Sequence, residues 1–234
     1  MKLFFAAGRL DDANELVIRH HYSRRAPANV QVVGTWHLPG GLFGDRGPAV
    51  AACFLSVPPT RWSEPLLELS RLVRAPAVTA PLSGLIAQTL NHARWGRAAD
   101  LVVSFADRTE GHHGGVYQAA GWTYGGLRDR TCDGVLIDGQ FIPGRSCNSR
   151  WGTRSPDGLR QIMPNRQIEP HFDEGKHLYW RALCRHGKAQ AKRLGLQNLP
   201  HPKPANRPED ERATRASEAG ATPAVRSIFD GEAA

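Results

Sequence analysis

The sequence predicts a mixed α/β fold, in which a mixed central sheet is flanked by helices and followed by a C-terminal extension. Short apolar runs rich in β-branched residues alternate with segments of helical periodicity over residues 1–187. The chain has 234 residues, of which 41% are hydrophobic, so one domain of ordinary size can bury a core. From residue 188 the sequence becomes polar and proline-rich, which predicts a largely disordered tail at 188–234.

The first half of the chain begins with a helix and continues with strands. Apolar residues at helical spacing predict a helix at 11–19, capped by one of the aspartates at its start. Alternating, β-branched residues predict a strand at 30–36, and an apolar run predicts a buried strand at 49–57. The segment at 38–48 is dense in glycine and proline, so we expect a hairpin loop between these strands.

A third strand is predicted at 66–73, where a period of two places Leu67, Leu69 and Arg71 on one face. A guanidinium buried between leucines is costly unless it is paired. Its partner could be structural, such as Glu68, Asp107 or a backbone carbonyl, or it could be a phosphate or the anionic part of a donor.

The middle of the chain continues this alternation. Apolar residues on one helical face predict a helix at 81–94, and the short apolar run at 101–106 predicts a central, buried strand. A short helix is predicted at 117–120, because Gly121 follows at the place where a helix C-terminus favours glycine. Another strand is predicted at 122–127.

The periodicity weakens beyond residue 130. Residues 132–143 are typical of a hairpin, with Asp138-Gly139 as its turn. Residues 176–183 predict a last strand. No internal repeat is visible.

The charge balance and the cysteines limit the class of protein. The formal net charge of +8 favours a polyanionic partner such as nucleic acid, although a basic surface without a binding role gives the same total. The four cysteines form no CxxC pair, so we expect free thiols in a reducing, cytoplasmic setting. The apolar run at the start is too short for an export signal, and no stretch approaches the roughly 20 apolar residues of a membrane helix.

The segment 101–124, LVVSFADRTEGHHGGVYQAAGWTY, resembles the GNAT acyltransferases. In that superfamily a strand and a polar turn lead to a short helix that ends in Tyr-x-x-x-Gly-aromatic, and the order of the predicted elements is also similar. More specifically, the chain resembles the phage Mom family in four short motifs: HYS at 21–23, ELSR at 68–71, SFAD at 104–107 and YQAAG at 117–121.

The Mom family is GNAT-like and modifies adenine in phage DNA, which protects that DNA from host restriction. The resemblance therefore implies transfer of a carbamoylmethyl group to the N6 amine of adenine, in the host cytoplasm and with double-stranded DNA as the partner. It leaves a homodimer open. Two other functions also stay open: a coenzyme A-dependent N-acyltransferase of a small amine or protein, and a non-catalytic DNA-binding protein.

The resemblance to GNAT proteins raises the question of coenzyme A, because they cradle its pyrophosphate in a glycine-rich loop before a helix. Here that loop is RAPAVTAPLSG at 74–84, which has one glycine and includes Pro81, a residue without an N–H donor. The expected donor contacts are Arg74, Thr79 and Ser83. Whether the donor is acetyl-CoA or another acyl compound stays open.

The resemblance to Mom proteins also implies iron. An imidazole, a phenolate and a carboxylate are a reasonable ligand set for that metal, and His21, Tyr22 and Asp107 would supply them. Alternatively, His21 is an ordinary turn histidine and Tyr22 a ring at the edge of the core.

Four residues are candidates for catalysis. Ser104 and Asp107 stand at and just past the end of the central strand, where open α/β sheets border a ligand crevice. Asp107 could take a proton from adenine N6, or it could cap the turn that follows. Tyr117 stands where GNAT enzymes keep a general acid, and the resemblance adds Arg71 as a contact for the donor.

DNA contacts are expected from arginines in the loops, and Arg24, Arg25, Arg128 and Arg130 are the candidates for phosphate binding. Each could equally be solvated surface charge. A base must leave the stack to be modified, and three tryptophans could stack on it or belong to the core: Trp122, Trp151 and Trp180.

Overall fold

The computed structural model of the protein describes residues 2–40, 46–59 and 61–203. The hairpin loop predicted at 38–48 lies partly outside the described residues. The same holds for the predicted tail, of which 204–234 lie outside.

The chain up to residue 128 contains, in order, β1 (Phe4–Ala7), α1 (Leu10–His20), β2 (Val30–Pro39), β3 (Arg46–Ser56), β4 (Leu67–Arg74), α2 (Leu82–Trp95), β5 (Leu101–Asp107), α3 (Gly115–Ala119) and β6 (Thr123–Arg128). The helices and strands predicted in this region are confirmed, with bounds shifted by a few residues. Strand β1 was not predicted. The expected aspartate cap of α1 is wrong: Arg9 occupies the N-cap without a side-chain hydrogen bond, and the two aspartates lie in the first turn.

The rest of the chain contains β7 (Cys132–Ile137), β8 (Gln140–Pro143), α4 (Gly144–Trp151), α5 (Pro156–Ile162), β9 (Ile168–Phe172), β10 (Lys176–Ala182) and α6 (Arg185–Arg193). The predicted hairpin is confirmed as β7 and β8, with a turn at Asp138 and Gly139, both of which have positive φ. Three unpredicted elements, α4, α5 and β9, complete an insertion between β6 and β10. It has its own small sheet, in the order β8-β7-β9, and its own core around Val135 and Leu159.

Within the described residues, seven strands form the central sheet in the order β1-β2-β3-β4-β5-β10-β6. The neighbours are antiparallel except β4 and β5, which are parallel. These two strands pair only at Leu67 with Val102 and at Glu68 with Val103, after which their pairing ends. The prediction of a mixed sheet flanked by helices is therefore confirmed.

Helices cover both faces of this sheet. On one face α1 packs through Leu16 and Val17 against Val33, Phe54 and other residues of β2 to β4. On the other face α2 and α3 share the largest hydrophobic cluster with β2, β3, β4 and β5. Burial of these apolar faces is the main force that fixes the helices on the sheet.

A β-bulge in β4 changes the predicted orientation of Arg71. Phe54 pairs with Arg71 and the next residue, Leu55, pairs with Leu69, so Ser70 is the extra residue on β4. The alternation of faces is broken there. Leu69 stays in the cluster beneath α2, whereas Arg71 lies on the opposite face with the turn after α1, so the prediction that they share a face is wrong.

The predicted start of a disordered tail at residue 188 is also wrong. Helix α6 continues to Arg193 and buries Ala191 against Leu101, Val103 and Leu178. After the helix, the N–H of Leu199 donates to the carbonyl oxygen of Tyr124 at the edge of the sheet. Among the described residues, none of the helices has the length and apolar character needed to cross a membrane.

Candidate active site

Polar side chains line the place where β4 and β5 stop pairing. Ser104 is fully buried there and donates to the carbonyl oxygen of Leu69 at 2.9 Å, which bridges the two strands. The hydroxyl of Tyr117 lies 2.8 Å from the Ser104 hydroxyl. Burial raises the pKa of Tyr117, so its phenol is protonated at neutral pH and is a weaker acid than an exposed tyrosine.

An opening forms where β4 and β5 stop pairing. Next to this opening, Arg71 is held by backbone carbonyls. Its Nη1 donates to the carbonyl oxygen of Ser70 at 2.6 Å, and its Nε donates to that of Arg25 at 3.3 Å. One of the predicted alternatives for its partner, a carbonyl, is therefore present. Among the described residues these bonds use two of its five N–H groups. Burial raises the pKa of the nearby Glu68, while the charge of Arg71 opposes the increase.

His21 and Tyr22 directly follow α1 and face the same opening. Their ring centroids are 4.3 Å apart, and the Tyr22 ring lies 6.1 Å from that of His112, in the loop after β5. The N–H of Ser23 donates to Nδ1 of His21 at 3.1 Å. Burial, followed by the charge of Asp107, raises the pKa of Tyr22.

His21 is expected to make the protein less stable at mildly acidic pH. Burial, and then the charges of Arg71 and His112, lower its pKa to about 4, whereas an unfolded histidine has a pKa of about 6.5. Between these values the unfolded chain binds a proton that the folded protein does not bind, so stability falls as the pH drops from about 6.5 to 4. Thermal melts over this range should show a smaller loss in His21→Gln. The exposed neighbour, as His20→Gln, is the control, and equal slopes in all three proteins would contradict the assignment.

Asp107 ends β5 and pairs across the sheet with Lys176, the first residue of β10. Nζ of Lys176 lies 3.2 Å from Oδ2 of Asp107, and Oδ1 accepts the N–H of Thr109 at 3.0 Å. The turn-capping alternative is therefore present, together with an ion pair that was not predicted. Both charges influence Tyr22, which places the three side chains within electrostatic reach of one another.

The contacts of His21, Tyr22 and Asp107 do not fit an iron site. Since Nδ1 of His21 accepts a hydrogen bond, the neutral ring carries its proton on Nε2 and offers no lone pair there. The Asp107 carboxylate is already paired with the ammonium group of Lys176. The described residues also contain no cluster of three His, Cys, Asp or Glu side chains suited to a metal ion. Iron stays a prediction for this chain.

A shallow groove of about 320 Å³ lies where α2 begins, lined by Arg74, Pro81, Leu82, Ser83, Val116 and Ala119. It contains two of the three predicted donor contacts, whereas Thr79 is exposed in the preceding loop. Arg74 donates to the carbonyl oxygen of Ala80 at 3.0 Å. The groove fits coenzyme A poorly, because Pro81 has no N–H and Leu82 supplies a side chain where a pyrophosphate would approach the backbone.

The four candidate arginines for DNA are exposed near the opening. Arg24 and Arg25 follow Tyr22, while Arg128 pairs across the sheet with Lys176 and Arg130 donates to the carbonyl oxygen of Asp173. The three tryptophans instead pack in hydrophobic clusters, which supports the alternative that they belong to the core: Trp122, Trp151 and Trp180.

Sequence reasoning missed Lys176 and Asp173. Lys176 was assigned to a strand, but only the pairing of β10 with β5 brings it to Asp107. Asp173 is almost fully buried, which is rare for an aspartate and indicates a specific role in structure or function. The sequence offered no signal for either, because both roles depend on contacts between residues far apart in the chain.

The parallel strands that stop pairing at the site, together with α2 and the short α3, give this protein a GNAT-like acyltransferase fold, as the order of elements predicted. The family model of the Mom protein family matches residues 2–203. The chain therefore belongs to the Mom protein family.

Several solved structures are similar to this chain. An N-acetyltransferase from Staphylococcus aureus Mu50 is 11% identical with a TM-score of 0.43, and the match covers 78% of this chain and 99% of that chain. A putative acetyltransferase from Salmonella typhimurium, solved with acetyl-CoA, is 9% identical with a TM-score of 0.45 and coverages of 80% and 96%. An IAA acetyltransferase from Bacillus cereus ATCC 14579 is 10% identical with a TM-score of 0.44 and coverages of 77% and 99%. A comparison with curated proteins found no match.

Proposed function

We propose that this protein is a DNA-modifying transferase that adds a carbamoylmethyl group to the N6 amine of adenine in phage DNA and so protects the DNA from host restriction. One observation carries the proposal. Next to the end of the β4–β5 pairing, Tyr22 lies within electrostatic reach of the Asp107 carboxylate, the Arg71 guanidinium and the Tyr117 phenol, in a chain of the Mom protein family. The net charge of +8 supports a polyanionic substrate.

Double-stranded DNA would dock on the rim and present one nucleotide to the opening. Arg24 and Arg25 on one side and Arg128 and Arg130 on the other would contact phosphates. The target adenine must leave the base stack, since its N6 amine is otherwise paired within the duplex. The neighbouring, mutually tilted rings of His21 and Tyr22 offer aromatic faces beside the entrance, on which such a base would stack.

The proposed chemistry assigns a separate role to each side chain. As N6 forms its bond to the methylene carbon of the donor, the bond between that carbon and the leaving group breaks. N6 loses a proton in the same step, and Asp107 accepts that proton. Tyr117, as the neutral phenol, gives a proton to the departing part of the donor. Arg71 uses its remaining N–H groups to hold an anionic part of the donor. Ser104 fixes the Tyr117 hydroxyl by hydrogen bonding.

Removal of the Asp107 carboxylate should abolish the modification. Plasmid DNA from cells that express the wild type should contain an adenine nucleoside heavier by a carbamoylmethyl group. In Asp107→Asn the yield should fall about 100-fold or more, as expected for loss of a general base. Asparagine keeps the acceptor for the Thr109 N–H, so the turn is retained. Mass spectrometry of digested DNA measures the ratio, and Asp11→Asn, at an exposed position in the first turn of α1, is the control.

Two results would contradict the proposal. Normal adenine with folded wild-type protein would favour a coenzyme A-dependent N-acyltransferase or a DNA-binding protein without catalysis. Equal modification in Asp107→Asn and the wild type would retain the function but remove Asp107 from the chemistry.

A further inference from the structure

Lys176 contacts the proposed base but takes no part in the proton transfers described above. It begins β10, and its neighbours across the sheet are Asp107 on β5 and Arg128 on β6. Its Nζ lies 3.2 Å from Oδ2 of Asp107 and 4.0 Å from Oδ2 of Asp173. The ammonium group therefore lies between two carboxylates, one at the opening and one inside the protein.

The inner carboxylate is rigidly held. Asp173 is only 3% exposed, and its oxygens accept the N–H of Thr131 at 2.9 Å, the N–H of Gly175 at 3.0 Å and the hydroxyl of Thr131 at 2.9 Å. Burial acts to raise the pKa of Asp173, but these hydrogen bonds together outweigh it and lower the pKa, so the carboxylate is ionised at neutral pH. A flexible lysine loses rotamer freedom when it is ordered. The Coulomb attraction of the fixed Asp173 carboxylate 4.0 Å away offsets part of that loss.

The outer carboxylate is fixed from two sides. Lys176 contacts Oδ2 of Asp107, and the N–H of Thr109 contacts Oδ1, so rotation of the carboxylate breaks at least one contact. Thr109 also accepts the N–H of Glu174 with its hydroxyl at 3.3 Å, which ties this turn to the segment that precedes Lys176. The orientation of Asp107 thus depends on residues of the insertion.

We propose that Lys176 is a positioning residue, which Asp173 and Thr131 hold in place and which orients the Asp107 carboxylate toward the substrate amine. This inference rests on the proposed function, because it assigns the orientation a catalytic purpose. It predicts that Lys176 acts on the rate of modification and not on DNA affinity, since its charge is directed to the two carboxylates. A small misplacement of a reacting group is able to cost about 100-fold in rate.

The test compares Lys176→Met, which keeps the length of the side chain but removes its charge, with Lys176→Arg, which keeps the charge. Lys188→Met, at an exposed position of α6, is the control. Modified adenine is measured in plasmid DNA at several times after induction, at matched protein levels. Lys176→Met should slow its formation about 10- to 100-fold, and Lys176→Arg should restore a large part of the rate. The affinity for a DNA duplex, measured by fluorescence anisotropy, should stay within about twofold of the wild type, because Lys176 makes no contact with DNA in this proposal.

A second readout does not depend on activity. Loss of the ammonium group should free the Asp107 carboxylate and weaken its bond to the Thr109 amide, so hydrogen exchange of that amide should accelerate about 10-fold in Lys176→Met and not in Lys188→Met. Thr131→Val, which removes one support of Asp173, should change exchange and rate in the same direction but less.

The outcomes separate the two proposals. Modification by Lys176→Met at the rate of the control, or unchanged exchange at Thr109, would overturn the positioning role while the proposed function stands. A large loss of DNA affinity in Lys176→Met would overturn it in favour of a phosphate contact. If wild-type protein leaves adenine unmodified, the proposed function fails, and accelerated exchange would then support the structural part of the inference alone.

Discussion

Replacement of Gly114 by alanine is expected to lower the free energy of unfolding by about 2 to 4 kcal/mol, from backbone strain and overpacking together. Gly114 has a φ of 81°, which L-residues rarely adopt. A Cβ atom there would also overlap the ring of Tyr179. That ring cannot move away easily, because it is fully buried and its hydroxyl donates to the carbonyl oxygen of His113 at 2.6 Å. Tyr117 follows within one turn, so DNA modification should fall as well.

The chain contains a matched control for this substitution. Gly139, in the turn between β7 and β8, has the same φ of 81°, but a Cβ there would meet nothing within 4 Å. Gly139→Ala should therefore cost only the strain, roughly 1 kcal/mol, and leave the modification unchanged. Urea denaturation of both variants measures the difference. Equal losses would show that the Tyr179 ring yields and that Gly114 is required only for its φ.

Truncation of Phe54 to alanine should lower the free energy of unfolding by about 3 to 5 kcal/mol, as is usual for a large buried ring. Phe54 is fully buried in the cluster that joins α1 to the sheet. It also pairs with Arg71 at the β-bulge of β4. A cavity there should loosen α1 and the bulge together, so we expect reduced modification in the remaining folded protein.

Phe4→Ala is the control for this second substitution. Phe4 lies on the edge strand β1 and is 40% exposed, so its truncation should cost about 1 kcal/mol or less. Urea denaturation and nucleoside mass spectrometry on both variants compare the two positions. A loss in Phe54→Ala as small as that in Phe4→Ala would mean that the core collapses into the cavity.

Much of the central sheet was predictable because the spacing of apolar residues within a segment indicates which of its faces is buried. Helix α2 and strand β5 carry their own periodicity, and the YQAAG motif marks α3 and its glycine. Such segments bury one face against the core wherever they lie in it, so no knowledge of their partners is needed. The same motifs name His21, Tyr22, Arg71, Asp107 and Tyr117 as the candidate site residues.

Helix α6 was missed for the opposite reason. Its sequence, RHGKAQAKR, is polar, and its buried residues are small or amide-bearing: Gly187, Gln190 and Ala191. It packs closely because a Cβ at Gly187 would overlap the carbonyl oxygen of Asp100. Close approach of a glycine to a backbone leaves no hydrophobic pattern in the sequence, so a packed helix resembled a polar tail.

The order of the elements, the family resemblance and the residue types available for chemistry follow from the sequence alone. The directions and the pairing of those side chains depend on the tertiary structure. The bulge at Ser70 moved Arg71 to the other face of β4, and the register of β10 against β5 brought Lys176 to Asp107. Register and bulges arise from the packing of whole strands whose residues are far apart in the chain, and a one-residue change reverses every side chain beyond it.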